Sequence, residues 1–299
     1  MGLVLVLVSA AGFASLAIFG KQAYRAGLDL VDVLVLRFGL AAPLLWALAA
    51  LARRRLRVGA GAALRLTAMG SIGYAIQASL FFAALSRISA GLAGLLLYLY
   101  PALVTLGAVA LGRHRLDRWT LAGLGFALGG TMLILGLPGE RLDPLGVTLG
   151  LASAAWYTLY ILVGEQLLRG ADPLVAAAHV ATGAAVSYLM VGGLLLGELD
   201  LGGARPGGFA ITVAMATLAT AVPIAAFLAG LSALGSTWAS IASAFEPAMT
   251  VALGALLLGE PLGAGKLAGG LAVVAGAIAL PLVAGGRGRS ERPQAAEHP

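Results

Sequence analysis

The chain has no cysteine, which excludes disulfides, thiolate nucleophiles and cysteine-ligated metals together. Histidine is nearly as scarce. His114, His179 and His298 are the three present, and their separation gives no metal-ligand spacing. Charge is also in short supply: 11% of the 299 residues are Asp, Glu, Lys or Arg, against roughly 25% in a soluble domain. So little polar surface cannot cover a water-soluble globule of this length. No Gly-rich phosphate loop of the Walker type occurs, so the usual means of using ATP is missing. No stretch reads as an appended soluble domain.

What the chain has instead is apolar length. Hydrophobic residues make up 60% of it and its mean hydropathy is +0.98, the composition of an integral membrane protein whose surroundings are a lipid bilayer. Short charged or Gly/Pro-containing breaks divide it into ten stretches, at about 3–20, 31–52, 66–85, 89–111, 119–137, 145–164, 173–197, 208–230, 237–258 and 266–284. The first is read as a span and not a leader, because no Lys or Arg precedes its apolar run. The net charge of +6 does not require a nucleic-acid partner, since arginines in short cytoplasmic loops account for it. If the N-terminus lies inside, the inner segments hold Arg53, Arg54, Arg55, Arg57, Arg65, Arg113, Arg115, Arg118, Arg169, Arg287, Arg289 and Arg292. The outer ones hold Lys21, Arg25, Arg87, Arg141, Arg205 and Lys266. Twelve against six places both termini in the cytoplasm. The tail, residues 285–299, has no apolar periodicity and reads as disordered.

Among the prolines inside spans, two stand at matching places in the two halves. Pro101 interrupts Leu92–Leu111, and Pro247 interrupts Ile241–Leu258. Proline cannot donate to the helix ladder and crowds the carbonyl four residues back, which lipid tolerates only where another group satisfies that carbonyl. The two prolines coincide when the sequence is shifted by 146 residues. The same shift lays Leu85-Ser86 on Leu231-Ser232, Leu121-Ala122-Gly123 on Leu267-Ala268-Gly269, and Gly130 on Gly276. At a shift of 144, Ser9-Ala10-Ala11 falls on Ser153-Ala154-Ala155, Gln22 on Gln166 and Arg25 on Arg169. Five spans per half is an odd number, so the halves, 1–140 and 141–284, enter the membrane from opposite sides. The expected fold is all-α, with ten transmembrane helices in two inverted five-helix repeats.

These features resemble the drug/metabolite transporter superfamily, and within it the EamA-type proteins. The resemblance covers about residues 3–284. It rests on Arg37-Phe38 in the second span, Tyr100-Pro101 and Glu246-Pro247 in the fourth and ninth, and Leu258-Gly259-Glu260-Pro261-Leu262 after the ninth. The Gly-rich stretches LAGLGFALGG and LAGGLAVVAG that close each half belong to the same pattern. Gly112-Arg113-His114-Arg115-Leu116 departs from it, standing where the pattern has an acidic residue. Within the superfamily the chain is most similar to the bacterial amino-acid exporters of the YddG type, whose substrates include aromatic amino acids. That similarity implies export through a central cavity by alternating access.

Residues able to carry transport lie within the spans. On the fourth, Gly91, Gly94, Tyr98, Pro101, Thr105, Ala108 and Gly112 share a stripe at helical spacing. The glycines read as packing and Tyr98 as cavity-lining. Tyr100 stands about 200° from Tyr98 at roughly 100° per residue, so both face one cavity only where the helix unwinds. On the ninth, Ser240, Ser243, Glu246 and Thr250 form a polar stripe. A mid-span carboxylate costs a few kcal/mol unless neutral or paired. Glu246 therefore has two readings: a proton-coupling or amine-binding group, or a structural tie for the kinked helix. Tyr74, Gln77 and Trp156, well inside the third and sixth spans, read as cavity-lining beside Tyr157. Arg37, six residues into the second span, reads as structural or snorkelling outward. Lys21 is similar, with an exit-side role for substrate carboxylates left open. His179 reads as hydrogen-bonded.

The sequence thus points to a secondary transporter of the bacterial inner membrane. Its solute would be a small metabolite, foremost an amino acid, and Pro101 and Pro247 would act as hinges. A drug, sugar or nucleotide precursor is the alternative solute, and no cofactor is called for. An intramembrane enzyme would need converging His, Asp, Glu or Cys, which Glu246 and His179 do not supply. A monomer suffices for all of this, and the sequence leaves the oligomeric state open.

Overall fold

Lipid offers the backbone no hydrogen-bond partner, so an apolar chain crosses it by closing its ladders within each segment. The computed structural model describes residues 1–85, 87–88, 90–135, 143–200, 206–258 and 262–279, and every regular element among them is helical. We number the spans α1 (Gly2–Arg25), α2 (Leu30–Leu51), α3 (60–85), α4 (Leu92–Ala110) and α5 (Arg118–Leu135). The second set is α6 (Pro144–Leu167), α7 (Pro173–Leu195), α8 (206–234), α9 (236–258) and α10 (264–279). Among the described residues, six runs are each long and apolar enough to cross a bilayer. One of these, Gly207–Ser243, has 37 residues; at about 1.5 Å per residue it would be too long for one crossing. Gly235 divides it, with φ 75° and ψ 168°, a conformation open to glycine and strained for any residue with a Cβ.

The ten stretches expected from hydropathy are these ten spans, with different ends. α1 continues to Arg25 and α3 begins at Ala60, because Lys21, Arg25 and Arg65 lower the local hydropathy without breaking a helix. The boundary at 140/141, the Leu258–Leu262 motif from Gly259 to Pro261, Arg141, Arg205 and the tail lie outside the described residues. Capping is strong where helices enter the membrane. Asp29 and Asp32 form a reciprocal capping box at the start of α2. Asp143 accepts from Gly146 N at 2.7 Å, and Asp172 from Leu174 N at 2.9 Å, each followed by proline at the first helical position.

Packing follows a two-fold exchange of the halves. α1 lies on α8 and α9, while α6 lies on α3 and α4; α2 pairs with α7, and α5 with α10. The glycines show how close these approaches are. A Cβ on Gly130 would stand 2.6 Å from the Gly269 carbonyl oxygen, and one on Gly276 would stand 3.0 Å from that of Gly123. The 146-residue shift turns the first contact into the second, as an inverted repeat requires. Large apolar side chains such as Leu106, Phe126, Leu159, Leu195 and Leu271 cover the outside, a surface suited to lipid and not to water.

Loop contacts define two ends. Arg54 pairs with Asp172 at 3.5 Å at one, and Arg87 pairs with Asp143 at 3.8 Å at the other. These exposed pairs add little stability, but they confirm that helices alternate in direction. Arg113 belongs to the first end. It donates to the Leu162 carbonyl at 2.9 Å and faces Glu165 at 3.5 Å, and Glu165 also accepts from Ser236 Oγ at 2.9 Å. The basic residue that departs from the family pattern thus has an acidic partner on α6. His114 beside it bonds Thr120 at 2.9 Å; burial lowers its pKa, against the opposing charge of Asp117.

Candidate functional site

The site begins with two interrupted helices. In α4 the helix stops at Leu97 and resumes at Tyr100, bridged by short-range bonds from Leu99 N to Leu96 O and from Ala102 N to Leu99 O. In α9 the interruption falls at Ala244, whose N–H bonds Ile241 O at 3.2 Å. Pro101 and Pro247 each stand just beyond the break and are buried. The helix is interrupted between Tyr98 and Tyr100 by a tightened turn and not by the unwinding expected, and their ring centroids lie 6.2 Å apart.

A cavity of about 210 Å³ lies beside these breaks. It is lined by Phe13 and Leu16 of α1, Leu34 and Arg37 of α2, Tyr74, Gln77, Ala78 and Phe81 of α3, Gly94, Leu97, Tyr98 and Tyr100 of α4, Tyr157 of α6 and Glu246 of α9. Tyr98 and Tyr100 line it beside Glu246. From there aromatic rings continue in contact: Tyr100 to Tyr157 at 4.7 Å, Tyr157 to Tyr160 at 5.8 Å, Tyr160 to Tyr74 at 6.4 Å, and Tyr74 to Phe38 at 5.2 Å. Tyr188 stacks on Phe38 at 5.6 Å. Six of the seven tyrosines in the chain stand in this run. It forms an amphipathic wall, apolar on its ring faces and hydrogen-bonding at its hydroxyls.

At the far end of the wall is Arg37, 4% exposed. Its Nε donates to Thr220 Oγ1 at 2.6 Å and its Nη2 to the Tyr74 hydroxyl at 3.1 Å, with the guanidinium 4.8 Å above the Phe38 ring. The snorkelling expectation is corrected here. A short path to water exists along the helix, but these bonds and the packing of α3 and α8 turn the side chain inward. Tyr74 closes a π-helical segment, Met69–Tyr74, and Thr220 lies in another, Thr217–Ala221. The 146-residue shift relates the two, and such segments widen a helix by one residue and favour functional positions.

Six of the residues singled out from sequence meet in this cavity: Tyr74, Gln77, Tyr98, Tyr100, Tyr157 and Glu246. Gln77 also ties α3 to α6, its Nε2 donating to Ser153 Oγ at 3.2 Å. Trp156 is not brought there. Its indole N–H donates to the Gly73 carbonyl at 2.9 Å, and its ring lines an apolar groove between α3 and α6 with Ile72, Leu159 and Val163. The neighbours Trp156 and Tyr157 are about 100° apart on one helix, so only one faces inward. His179 bonds Thr67 at 3.1 Å and packs edge-on against Trp46. Arg37, read from sequence as structural or snorkelling outward, joins the cavity lining, a place the sequence reading did not give it. An ionisable group inside a span is itself a functional signal, and that signal was available. A larger groove of about 780 Å³ between α5 and α10, lined by Gly125, Phe126, Gly129 and Leu133, offers no charged or hydrogen-bonding side chain.

The comparisons agree with this architecture. The sequence matches the EamA-like transporter family twice, over residues 1–136 and 144–280. It is 34% identical to an uncharacterized protein of Pseudomonas aeruginosa over 75% of each chain. It is 26% identical to the uncharacterized transporter YcbK of Bacillus subtilis, over 88% of this chain and 86% of that one. A solved crystal structure of a protein superposes with a TM-score of 0.80 at 18% identity, covering 97% of this chain and 99% of that one, which shows a shared fold. Together with the paired halves and the helix breaks, these matches make the chain a member of the EamA-like transporter family.

Proposed function

We propose that the protein is a secondary transporter of the bacterial inner membrane that exports small metabolites, amino acids with aromatic ones among them, in the manner of YddG-type exporters. Residues 1–140 and 141–284 act as two halves that rock about the cavity, with both termini in the cytoplasm. The observation that carries this reading is the tyrosine wall ending on Glu246 at two broken helices. Ring faces suit an apolar or aromatic side chain, and the carboxylate suits an ammonium group. At about 210 Å³ the space is below the roughly 300–1,000 Å³ of clefts for drug-sized ligands, which favours an amino acid over a bulkier drug.

Purified protein in proteoliposomes tests the proposal. Liposomes loaded with unlabelled amino acids should accumulate the labelled ones by exchange, aromatic members among them, and protein-free liposomes should not. No exchange across the full amino-acid panel, from protein that is folded by thermal melt, contradicts it. Repeating the assay with and without a pH gradient separates proton coupling from facilitated diffusion.

A further inference from the structure

Arg37 poses a question that its hydrogen bonds leave open. Both of its hydrogen-bond partners, Thr220 and Tyr74, are neutral hydroxyls. Among the described residues no carboxylate lies within ion-pair distance of it, although the pairs Arg54–Asp172, Arg87–Asp143 and Arg113–Glu165 are all formed. A buried charge without a counter-charge carries a desolvation cost of several kcal/mol, more readily borne where the counter-charge arrives with a ligand. Its Nη1 makes no hydrogen bond among the described residues, and it lines the same cavity as Glu246. A second unsatisfied group stands close by. The Tyr188 hydroxyl is buried without a hydrogen-bond partner among the described residues, on a ring stacked against the Phe38 that carries the guanidinium.

We infer that Arg37 is the residue that recognises an anionic group of the solute, a carboxylate or its equivalent, at the end of the cavity remote from Glu246. This rests on the reading of the cavity as the solute site and adds to it the charge pattern the solute must carry. The guanidinium offers a planar fork with free N–H donors, which matches a carboxylate in geometry as well as charge. The wall of tyrosine rings between the two charged groups accepts the apolar body. A solute carrying both an anion and an ammonium is thus held at two points, and one lacking the anion leaves Arg37 unpaired in the membrane. Position 37 also has no charged twin, since a shift of 144 residues lays it on Ala181. The anion is therefore read on one side of the cavity. Because Thr220 belongs to the second half, the residue that reads the anion also bonds across the two halves.

The test compares three probes of one shape on the full-length protein in detergent: L-phenylalanine, 3-phenylpropionate and phenethylamine, with binding read by thermal shift titration. The two carboxylate-bearing probes should bind wild type, each at least tenfold tighter than an Arg37→Gln variant, while phenethylamine should bind both alike within threefold. If wild type shows no gain from a carboxylate, or if Arg37→Gln keeps the gain, the inference is overturned. Should Arg37→Gln fail to fold, Arg37→Lys decides. It keeps the charge and loses the fork, so carboxylate affinity should fall at least threefold, and an unchanged affinity overturns the inference. The amino-acid reading fails separately: 3-phenylpropionate alone would then bind wild type in an Arg37-dependent way, without L-phenylalanine.

Discussion

The breaks in α4 and α9 fall at matching places, two residues long in one and one residue long in the other, and carry nearly opposite side chains. Each helix stops, turns once and resumes beside a buried proline. Yet Tyr98-Leu99-Tyr100 stands opposite Ala244-Phe245-Glu246. Under the proposed mechanism, two halves that exchange roles must bend alike, which would hold the backbone to the two-fold relation. The solute obeys no such symmetry, and the side chains facing it are free to differ. On that proposal, a residue pair that stays symmetric would serve the movement, and one that diverges would serve recognition.

Substitutions sharpen that contrast. The largest effect is expected at Glu246. Removing its charge with Glu246→Gln should lower exchange of labelled amino acids at least tenfold, about 1.4 kcal/mol, while leaving thermal stability near that of wild type. Tyr98→Phe comes next, because it deletes a hydroxyl from the cavity wall that also carries Glu246. A neutral hydrogen bond to the solute contributes about 0.5–1.5 kcal/mol, and its loss should appear as weaker solute affinity in equilibrium binding. Trp156→Phe is the smallest. It removes the bond to Gly73 O and should lower stability by about 1 kcal/mol with exchange unchanged. A loss of exchange in Trp156→Phe would place the indole in the solute path and break the contrast between wall and groove.

Much of the architecture was legible because it is written in composition and period. Apolar length marks spans, and Pro101 with Pro247 marks the repeat. That the helix must depart from regularity between Tyr98 and Tyr100 followed from helix geometry, although the departure is a tightened turn and not an unwound one. What periodicity could not supply was rotation of each helix about its own axis. Trp156 and Tyr157 are adjacent and equally aromatic, and only packing against α3 and α4 decides which faces the cavity. Arg37 escaped for a related reason. Its distance from the membrane surface allowed an outward path, and the partners that turn it inward, Tyr74 and Thr220, are 37 and 183 residues away in sequence.

The symmetric part of the account is tested most directly by Pro101→Ala and Pro247→Ala, each measured for exchange rate in proteoliposomes and for equilibrium binding of labelled L-phenylalanine. Alanine restores the N–H and fits a continuous helix, so both variants should slow exchange by a similar factor, about threefold or more, roughly 0.65 kcal/mol. Binding affinity should stay unchanged in both. A rate that falls for one proline alone, or an affinity that shifts with either, would contradict the claim that the paired breaks serve the movement and their neighbours the solute.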